Sequence, residues 1–212
     1  MFSLPAQRAT KRVLDLVVAV LMLVATAPVL GVAALLVRIR LGSPVFFVQE
    51  RTGRSLRRFR IYKLRTMTAE RDRHGRLLSD GERCGGLGRV LRRFSIDELP
   101  QLVNIIRGDL SLVGPRPLLP RYDPWYTDRE LRRFSVRPGI TGLAQVSGRN
   151  GVAWDERLEL DVRYVTDWTL RLDLWILLRT TGKVLGGSGV ATDPSARMLD
   201  LDKERELSCL PS

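Results

Sequence analysis

The sequence has few of the residues that build disulfide frameworks, zinc sites or histidine-activated nucleophiles. Among 212 residues there are two cysteines, Cys84 and Cys209, and a single histidine, His74. The cysteines are isolated and form no CxxC pair, which argues against a disulfide scaffold and a cysteine zinc site. His74 lies in a polar stretch typical of a loop, so a Ser-His or Cys-His system has little support. We therefore expect two reduced thiols in a cytosolic compartment and chemistry that depends on carboxylates.

Acidic residues are also scarce relative to basic ones. The chain has 35 Lys and Arg against 23 Asp and Glu, a net charge of +12. Residues 38–93 hold 16 Lys or Arg and five Asp or Glu, which is nearly the whole excess. Such a charge predicts an anionic partner: nucleic acid, lipid headgroups or a phosphorylated substrate. The length suits an apolar anchor with one compact domain, and we expect no second globular domain.

One long apolar run, residues 13–37, has the length of a membrane helix and is interrupted by Asp15 and Thr26. It is too long for a cleaved signal peptide, and arginines follow it in place of small residues. Pro28 lies near its middle, where proline kinks or breaks a helix, and basic residues flank both ends. Two topologies fit these features: a kinked spanning helix, and a helix that bends at Ala27-Pro28 and leaves on the side it entered.

After this anchor the pattern predicts a small hairpin followed by helices. Strands are expected at 44–49 and 59–64 around a turn at 51–54, and residues 68–86 are expected to form a loop or mobile insert. Helical periodicity then occurs at 87–94, 98–106, 154–164 and 170–184. The last helix carries Trp175 with flanking arginines, which suits an interfacial helix as well as a core helix. From Gly186 onward the composition predicts a poorly ordered tail.

The adjacent carboxylates Asp97 and Glu98 lie in the densest motif, residues 91–109. Ser95 and Glu98 match a capping box, which would give Glu98 only a structural role. Pro100 argues against this interpretation, because with Ser95 as N-cap it would be the fifth helical residue, where an N–H is wanted. We therefore predict that Asp97 is the N-cap, beside free N–H groups at a helix end where phosphate also binds.

This carboxylate pair suits phosphoryl chemistry. Ionised Asp97 can attack phosphorus only where cations neutralise the electrophile. Glu98 is predicted to bind Mg²⁺, which usually takes one or two carboxylates plus substrate phosphates. Four basic residues are candidates for the surrounding charge: Lys63, Arg65, Arg92 and Arg116. Arg116 lies between Pro115 and Pro117, and this rigid placement favours a positioned phosphate contact over a solvated arginine.

Four segments together resemble the bacterial sugar transferase family: KLRTM at 63–67, SIDELPQ at 95–101, GPRP at 114–117 and RPGITG at 137–142. The last belongs to a glycine- and arginine-rich stretch, residues 136–151, which alone is only a weak signal of a phosphate-binding loop. The members are monotopic polyprenyl-phosphate phosphoglycosyl transferases. The chain is similar to the small ones, such as the enzyme that initiates bacterial N-linked glycan assembly, and the resemblance runs from about Arg12 to Val184.

The resemblance implies an α+β monotopic membrane protein at the cytoplasmic face of the bacterial inner membrane. It implies a re-entrant membrane helix broken at Pro28, a small β-hairpin and interfacial amphipathic helices. The expected parts are residues 1–41 for the membrane helix and its flanks, 42–185 for the cytoplasmic catalytic domain, and 186–212 for the tail. Many relatives have serine before the proline where this chain has Ala27, so the bend here lacks a hydroxyl that can satisfy a freed carbonyl.

The resemblance also implies a two-step reaction through a covalent enzyme intermediate. Asp97 matches the nucleophile that attacks the β-phosphate of a UDP-sugar and expels UMP, and Glu98 matches the Mg²⁺ ligand. Undecaprenyl phosphate then attacks the phosphosugar-aspartate to give the lipid diphosphate sugar. Five further positions match polar residues around that site: Lys63, Arg92, Arg116, Arg149 and Asp161.

Two other classes of protein were weighed against this enzyme: a basic membrane-anchored protein that binds nucleic acid, and a non-catalytic scaffold for glycan assembly. Nucleic-acid binding would fall steeply with salt. It leaves the Asp97-Glu98 pair and Arg116 unexplained, so we expect UDP-sugar, undecaprenyl phosphate and anionic lipids as partners and no nucleic acid. No motif identifies the sugar, the pathway or the oligomeric state.

Overall fold

The computed structural model describes residues 4–148, 153–186 and 200–208. The helices within these ranges are α1 Leu4–Leu41, α2 Asp80–Arg83, α3 Gly86–Arg93, α4 Leu102–Arg107, α5 Asp128–Leu131, α6 Leu143–Ser147, α7 Trp154–Thr166, α8 Leu170–Leu185 and α9 Leu201–Ser208. The strands are β1 Phe46–Thr52, β2 Arg58–Leu64, β3 Ser111–Val113 and β4 Gly139–Thr141. Short 3₁₀ helices cover Arg54–Leu56, Ile96–Gln101, Pro120–Trp125 and Arg132–Ser135. The predicted α+β class, with a long apolar helix and a small hairpin, is confirmed.

The apolar run forms α1, which the structure assigns as one helix through Pro28. By length and composition alone, this helix can cross a membrane. The half before Pro28 buries Ala19 in a core shared with α4 and β3. The half after it buries Ala33 and Val37 in a core shared with β2 and α3. Both halves of α1 therefore pack against the rest of the chain, while residues such as Val24 remain exposed.

Polar residues near the start of α1 fix it to the remainder of the fold. The buried Asp15 carboxylate accepts a hydrogen bond from Ser111 Oγ at 2.7 Å. Lys11 Nζ lies 2.7 Å from a carboxylate oxygen of Asp173 on α8 and 3.6 Å from Asp15. Arg12 Nη1 donates to a carbonyl in the last turn of α4 at 2.8 Å. Asp15 is tolerated in an apolar run because this junction satisfies its charge.

The predicted hairpin is confirmed. Strands β1 and β2 pair in antiparallel register, with Phe46 opposite Leu64 and Thr52 opposite Arg58. In the same register Arg51 lies opposite Phe59, Gln49 lies opposite Ile61, and Phe47 lies opposite Lys63. Because alternate residues of a strand point to one face, the side chains at 47, 49 and 51 share a face with Lys63. This face of the hairpin borders the site described below.

Glycines in the GPRP and RPGITG motifs bring backbones into direct contact. Strands β3 and β4 pair in parallel, and a Cβ added to Gly139 would lie 2.1 Å from the Gly114 nitrogen. A Cβ on Gly142 would lie 2.2 Å from the Gly114 oxygen. Arg137 Nε donates to a carbonyl just after α4 at 2.8 Å. In the described part of 136–151, the glycines therefore serve backbone packing, a role that the sequence analysis did not foresee.

The predicted α-helix around the carboxylate pair is instead the 3₁₀ helix Ile96–Gln101, which runs into α4. Ser95 precedes it in the left-handed conformation, with φ 55° and ψ 24°, and its side chain caps no N–H. Asp97 is an internal residue, so the predicted N-cap and the capping-box alternative are both wrong. Pro100 has no N–H to continue α-helical bonding, and the chain becomes α-helical only after it.

The segment 68–86 is more ordered than predicted. Arg71 and Leu77 form an antiparallel bridge, and α2 begins at a capping box in which Ser79 and Glu82 bond each other's backbone N–H. The expectation of a loop or mobile insert is therefore only partly correct. A capping box needs only two residues, Ser79 and Glu82, at the correct spacing, and these do not stand out in a stretch that is polar throughout.

The expectation of a poorly ordered tail is wrong for residues 200–208. Leu201 of α9 is fully buried in a core cluster with Tyr122 and Trp154. Arg205 donates to both carboxylate oxygens of Glu130, at 2.6 and 2.9 Å. A single apolar anchor among charged residues gives little periodicity, which is why the pattern did not reveal this helix. Residues 187–199 and 209–212 lie outside the described residues.

We expect Leu201→Ala to undock α9. Removing a fully buried leucine side chain costs about 2–5 kcal/mol, because it leaves a cavity where α9 packs against the rest of the fold. Hydrogen exchange of the α9 amides should then accelerate at least tenfold relative to the wild-type protein. Leu207→Ala, on the same helix but exposed, is the control. Equal acceleration in the two variants would contradict the docking described here.

Candidate active site

Asp97 is almost buried, with 8% of its surface exposed. Burial, together with the negative charge of Glu98, raises the pKa of this carboxyl to about 6. The cationic side chains of Lys63 and Arg92 oppose this rise. Asp97 is therefore largely ionised at neutral pH, and its charge is poorly solvated.

Glu98 is the point where two of the predicted cations meet. Lys63 Nζ, on β2, lies 2.5 Å from Glu98 Oε1, and Arg116 Nη2 lies 3.9 Å from the same oxygen. Arg116 remains nearly half exposed, so its guanidinium faces solvent beside the carboxylate pair. The structure thus brings Lys63, Glu98 and Arg116 together around one solvent-accessible position.

Arg92 reaches the same region from α3. Its Nε donates to Thr66 Oγ1 at 2.9 Å, which links α3 to the KLRTM segment. A Cβ on Gly88 would lie 2.0 Å from the Thr66 carbonyl oxygen, so α3 sits directly on this backbone. Glycine at this position permits the close approach that places Arg92 where its charge acts on Asp97.

The Pro-Arg-Pro segment, residues 115–117, is held through its backbone. Its three consecutive carbonyl oxygens each accept a hydrogen bond: from the Gly139 N–H at 3.0 Å, from Arg133 Nη2 at 2.7 Å and from Arg51 Nη1 at 3.4 Å. The prolines fix φ on both sides of the arginine. The Arg116 side chain is therefore presented from a rigid backbone, as the sequence predicted.

Asp161 is linked to the backbone of Arg116 through Arg133. It is 2% exposed, and its Oδ2 accepts from Arg133 Nη2 at 2.7 Å and Nε at 3.2 Å. Burial disfavours the Arg133 charge, but the Asp161 carboxylate raises the pKa of this guanidinium. Because Arg133 also bonds the Arg116 carbonyl, Asp161 acts on Arg116 through Arg133. A direct contact between Asp161 and substrate stays a prediction, and this geometry gives it a positioning role.

Two of the predicted site residues are not placed at the carboxylate pair. Arg65 Nη1 donates to the carbonyl of Ser43 at 2.9 Å, and within the described residues Arg65 forms no ion pair with Asp97 or Glu98. Arg149 lies outside the described residues. The roles of both toward a substrate remain predictions.

Three arginines near Arg116 were not predicted from the sequence: Arg51, Arg133 and Arg157. The Arg157 guanidinium lies 4.6 Å from the ring centroid of Trp154, and burial followed by repulsion from Arg116 lowers its pKa. In a chain this rich in arginine, residue type alone does not separate these three from solvated ones. Only the fold, which assembles them from β1, the 3₁₀ helix after α5 and α7, identifies them.

The carboxylate pair fits the donor set that Mg²⁺ accepts. Within the described residues, no group of three or more His, Cys, Asp or Glu side chains converges. Mg²⁺ characteristically takes one or two carboxylates and completes its octahedron with water and substrate phosphates. Glu98 and the adjacent Asp97 supply that number.

Comparison with known proteins agrees with this arrangement. Residues 6–187 match the model of the family described as bacterial sugar transferase. The chain is 51% identical over 180 residues to the uncharacterized sugar transferase EpsL of Bacillus subtilis, covering 85% of this chain and 89% of that protein. It is 42% identical over 185 residues to the UDP-glucose:undecaprenyl-phosphate glucose-1-phosphate transferase of Caulobacter vibrioides, covering 82% and 69%.

A third relative is the undecaprenyl-phosphate galactose phosphotransferase of Salmonella typhimurium, 36% identical over 202 residues that cover 87% of this chain and 42% of that protein. The chain belongs to the bacterial sugar transferase family. The predicted family and the predicted class of enzyme, a transferase, are confirmed.

The raised pKa of Asp97 makes a prediction for stability. The native carboxyl, with a pKa of about 6 against an ordinary 3.8, binds its proton more tightly than the unfolded chain does. Stability is therefore lost as pH rises through this window. At pH 8 in EDTA, Asp97→Asn should be more stable than the wild-type protein by on the order of 2 kcal/mol, and at pH 4 it should show no gain.

Chemical denaturation at the two pH values measures this difference. The exposed carboxylate of Asp167 provides the control, because Asp167→Asn should give no gain at either pH. A destabilised Asp97→Asn at pH 8 would mean that the carboxylate is well solvated or tightly paired.

Proposed function

We propose that this chain transfers a sugar 1-phosphate from a UDP-sugar to undecaprenyl phosphate, as the first membrane step of a bacterial glycan pathway. The observation that carries the proposal is the nearly buried Asp97, adjacent to Glu98 and surrounded by Lys63, Arg92 and Arg116. The names of the relatives support it, since they describe sugar phosphotransferases that act with undecaprenyl phosphate.

In the first step, a carboxylate oxygen of Asp97 attacks the β-phosphorus of the UDP-sugar. The bond between this phosphorus and the bridging oxygen breaks, and UMP leaves with that oxygen. The sugar phosphate is then held as a mixed anhydride on Asp97. The pKa of about 6 supports this role, because it keeps the nucleophile ionised at neutral pH while leaving it weakly solvated.

In the second step, a phosphate oxygen of undecaprenyl phosphate attacks the same phosphorus. The bond to Asp97 breaks, the carboxylate is restored, and the product is the lipid diphosphate sugar. Atoms and charge balance over the two steps without a further reactant.

The cations around the pair offset the negative charge of two phosphates. Arg116, on its rigid backbone, faces solvent beside Glu98 and contacts a substrate phosphate. Lys63 Nζ pairs with Glu98 Oε1 at 2.5 Å and orients this carboxylate. Mg²⁺, held by Glu98 with Asp97 adjacent, would neutralise phosphate charge when bound.

The proposed location is the cytoplasmic face of the bacterial inner membrane, with α1 as a re-entrant helix that bends at Pro28. Basic residues near both ends of α1, Arg8 and Arg12 in its first part and Arg38 and Arg40 in its last turn, favour the same side for both ends. Contact of both halves with the rest of the chain supports this topology. The exposed apolar face of α8, with Leu174, Trp175 and Leu178, suits contact with the interface and its anionic lipids.

The reaction is tested with purified protein, Mg²⁺, undecaprenyl phosphate and a panel of UDP-sugars. UMP release should appear with at least one sugar, and Asp97→Asn should lower its rate by at least a thousandfold, because the amide is not a nucleophile. Asp167→Asn should retain wild-type turnover. Wild-type turnover by Asp97→Asn would remove the nucleophile assignment, and binding of UDP-sugar without any UMP release would favour a non-catalytic scaffold.

The topology is tested by cysteine labelling in intact cells. Ala6→Cys and Ser43→Cys are introduced separately into a background in which Cys84 and Cys209 are alanine. A membrane-impermeant maleimide should label neither site until the membrane is permeabilised. Labelling of one site from outside and protection of the other would establish a spanning helix instead.

A further inference from the structure

Arg51 is a mostly buried guanidinium whose hydrogen-bond partners carry no charge. Its Nη2 donates to the Gln49 side-chain oxygen at 2.5 Å, and its Nη1 donates to the Pro117 carbonyl at 3.4 Å. Its Nε is buried and has no partner in the described part of the chain. No carboxylate of the described residues lies within ion-pair distance of it. The charge of Arg51 is therefore uncompensated there.

Arg133, which supports the same Pro-Arg-Pro segment, provides the contrast. Its buried charge is matched by Asp161 at 2.7 Å, and its remaining N–H groups reach the Arg116 carbonyl and the Tyr126 hydroxyl. Arg133 thus holds a backbone carbonyl while a carboxylate compensates its charge. The different surroundings of Arg51 need another explanation, because an unpaired buried charge is costly.

Arg51 also lies near a second guanidinium, that of Arg116. Burial, together with repulsion from Arg116, lowers the pKa of Arg51 to about 10. Arg116 itself has only the distant Glu98 oxygen at 3.9 Å, which Lys63 already occupies at 2.5 Å. Two nearby guanidinium groups that have only this distant carboxylate oxygen as an acidic partner repel each other until an anion binds between them.

The position of Arg51 connects this pair to the reaction site. Arg51 shares its face of the hairpin with Lys63, and it bonds the carbonyl of the residue that follows Arg116. Both guanidinium groups present planar N–H donors, the arrangement that binds phosphate oxygens in bidentate fashion. We propose that Arg51 and Arg116 form a two-arginine subsite for a substrate phosphate, in which Arg51 is a binding residue. This inference rests on the function proposed above.

The test compares three arginine-to-methionine variants. In Arg51→Met we expect KM for one phosphorylated substrate to rise roughly ten- to hundredfold, the range for a lost charge-assisted hydrogen bond, while Tm stays unchanged or increases. In Arg133→Met, Tm should fall because Asp161 is left buried and unpaired. Arg60→Met, an exposed residue on the other face of the hairpin, removes the same charge and should change neither quantity.

Separate titrations identify the source of the phosphate. A rise in KM for UDP-sugar alone assigns the subsite to the nucleotide diphosphate, and a rise for undecaprenyl phosphate alone assigns it to the lipid acceptor. If both KM values stay at the wild-type level, or if Tm falls as far as in Arg133→Met, Arg51 is a structural support and the proposal is overturned.

A binding measurement keeps the subsite testable without turnover. Inorganic pyrophosphate should raise the Tm of the wild-type protein and of Arg60→Met, and it should raise that of Arg51→Met much less. Equal shifts in all three proteins would overturn the subsite even if the enzyme is active. A shift confined to proteins with Arg51, in a wild-type protein that releases no UMP, would uphold the subsite and reject the proposed reaction.

Discussion

The arrangement around Asp97 depends on one electrostatic constraint: two adjacent carboxylates, one of them nearly buried, must stay ionised close to each other. Burial and the charge of Glu98 both raise the pKa of Asp97, and the cations Lys63 and Arg92, with a backbone hydrogen bond, oppose them. Lys63 comes from β2, Arg92 from α3 and Arg116 from the segment after β3. The carboxylate pair therefore requires nearby positive charge, and the hairpin, α3 and the Pro-Arg-Pro segment each supply part of it.

Close backbone contacts give these cations their fixed positions. Gly88 lets α3 rest on the Thr66 carbonyl, and Gly139 lets β4 approach Gly114 directly before the Pro-Arg-Pro segment. Arg133, paired with Asp161, holds the Arg116 carbonyl of that segment with a directional hydrogen bond. Such support reduces the reorganisation needed when charge moves during phosphoryl transfer.

Much of this was accessible from the sequence, for identifiable reasons. The hairpin follows from local alternation, and the pairing of Glu98 with Lys63 and Arg116 follows the motifs that carry the family resemblance. The 3₁₀ helix at Asp97 was missed because Pro100 was interpreted only as a choice between two α-helical starts. The docked helix α9 was missed because its single buried anchor, Leu201, gives no periodic signal.

The site residues that were missed share another reason. The fold supplies a carboxylate to Arg133 and none within ion-pair distance to Arg51 among the described residues, and that difference arises from contacts between distant segments. Asp161 was assigned to the site by resemblance, and its link to Arg116 through Arg133 required the tertiary structure. The motifs identify which residues belong to the site. Whether a given residue can contact a substrate or instead supports another side chain depends on the packing.

The most direct measurement of the central claim is the intact mass of the protein after incubation with Mg²⁺ and its UDP-sugar in the absence of undecaprenyl phosphate. The account predicts a mass increase equal to one sugar phosphate, located by peptide mapping at Asp97, removed by added undecaprenyl phosphate and absent from Asp97→Asn. Rapid product formation by a protein that never acquires this mass, or a modification located at another residue, would contradict it.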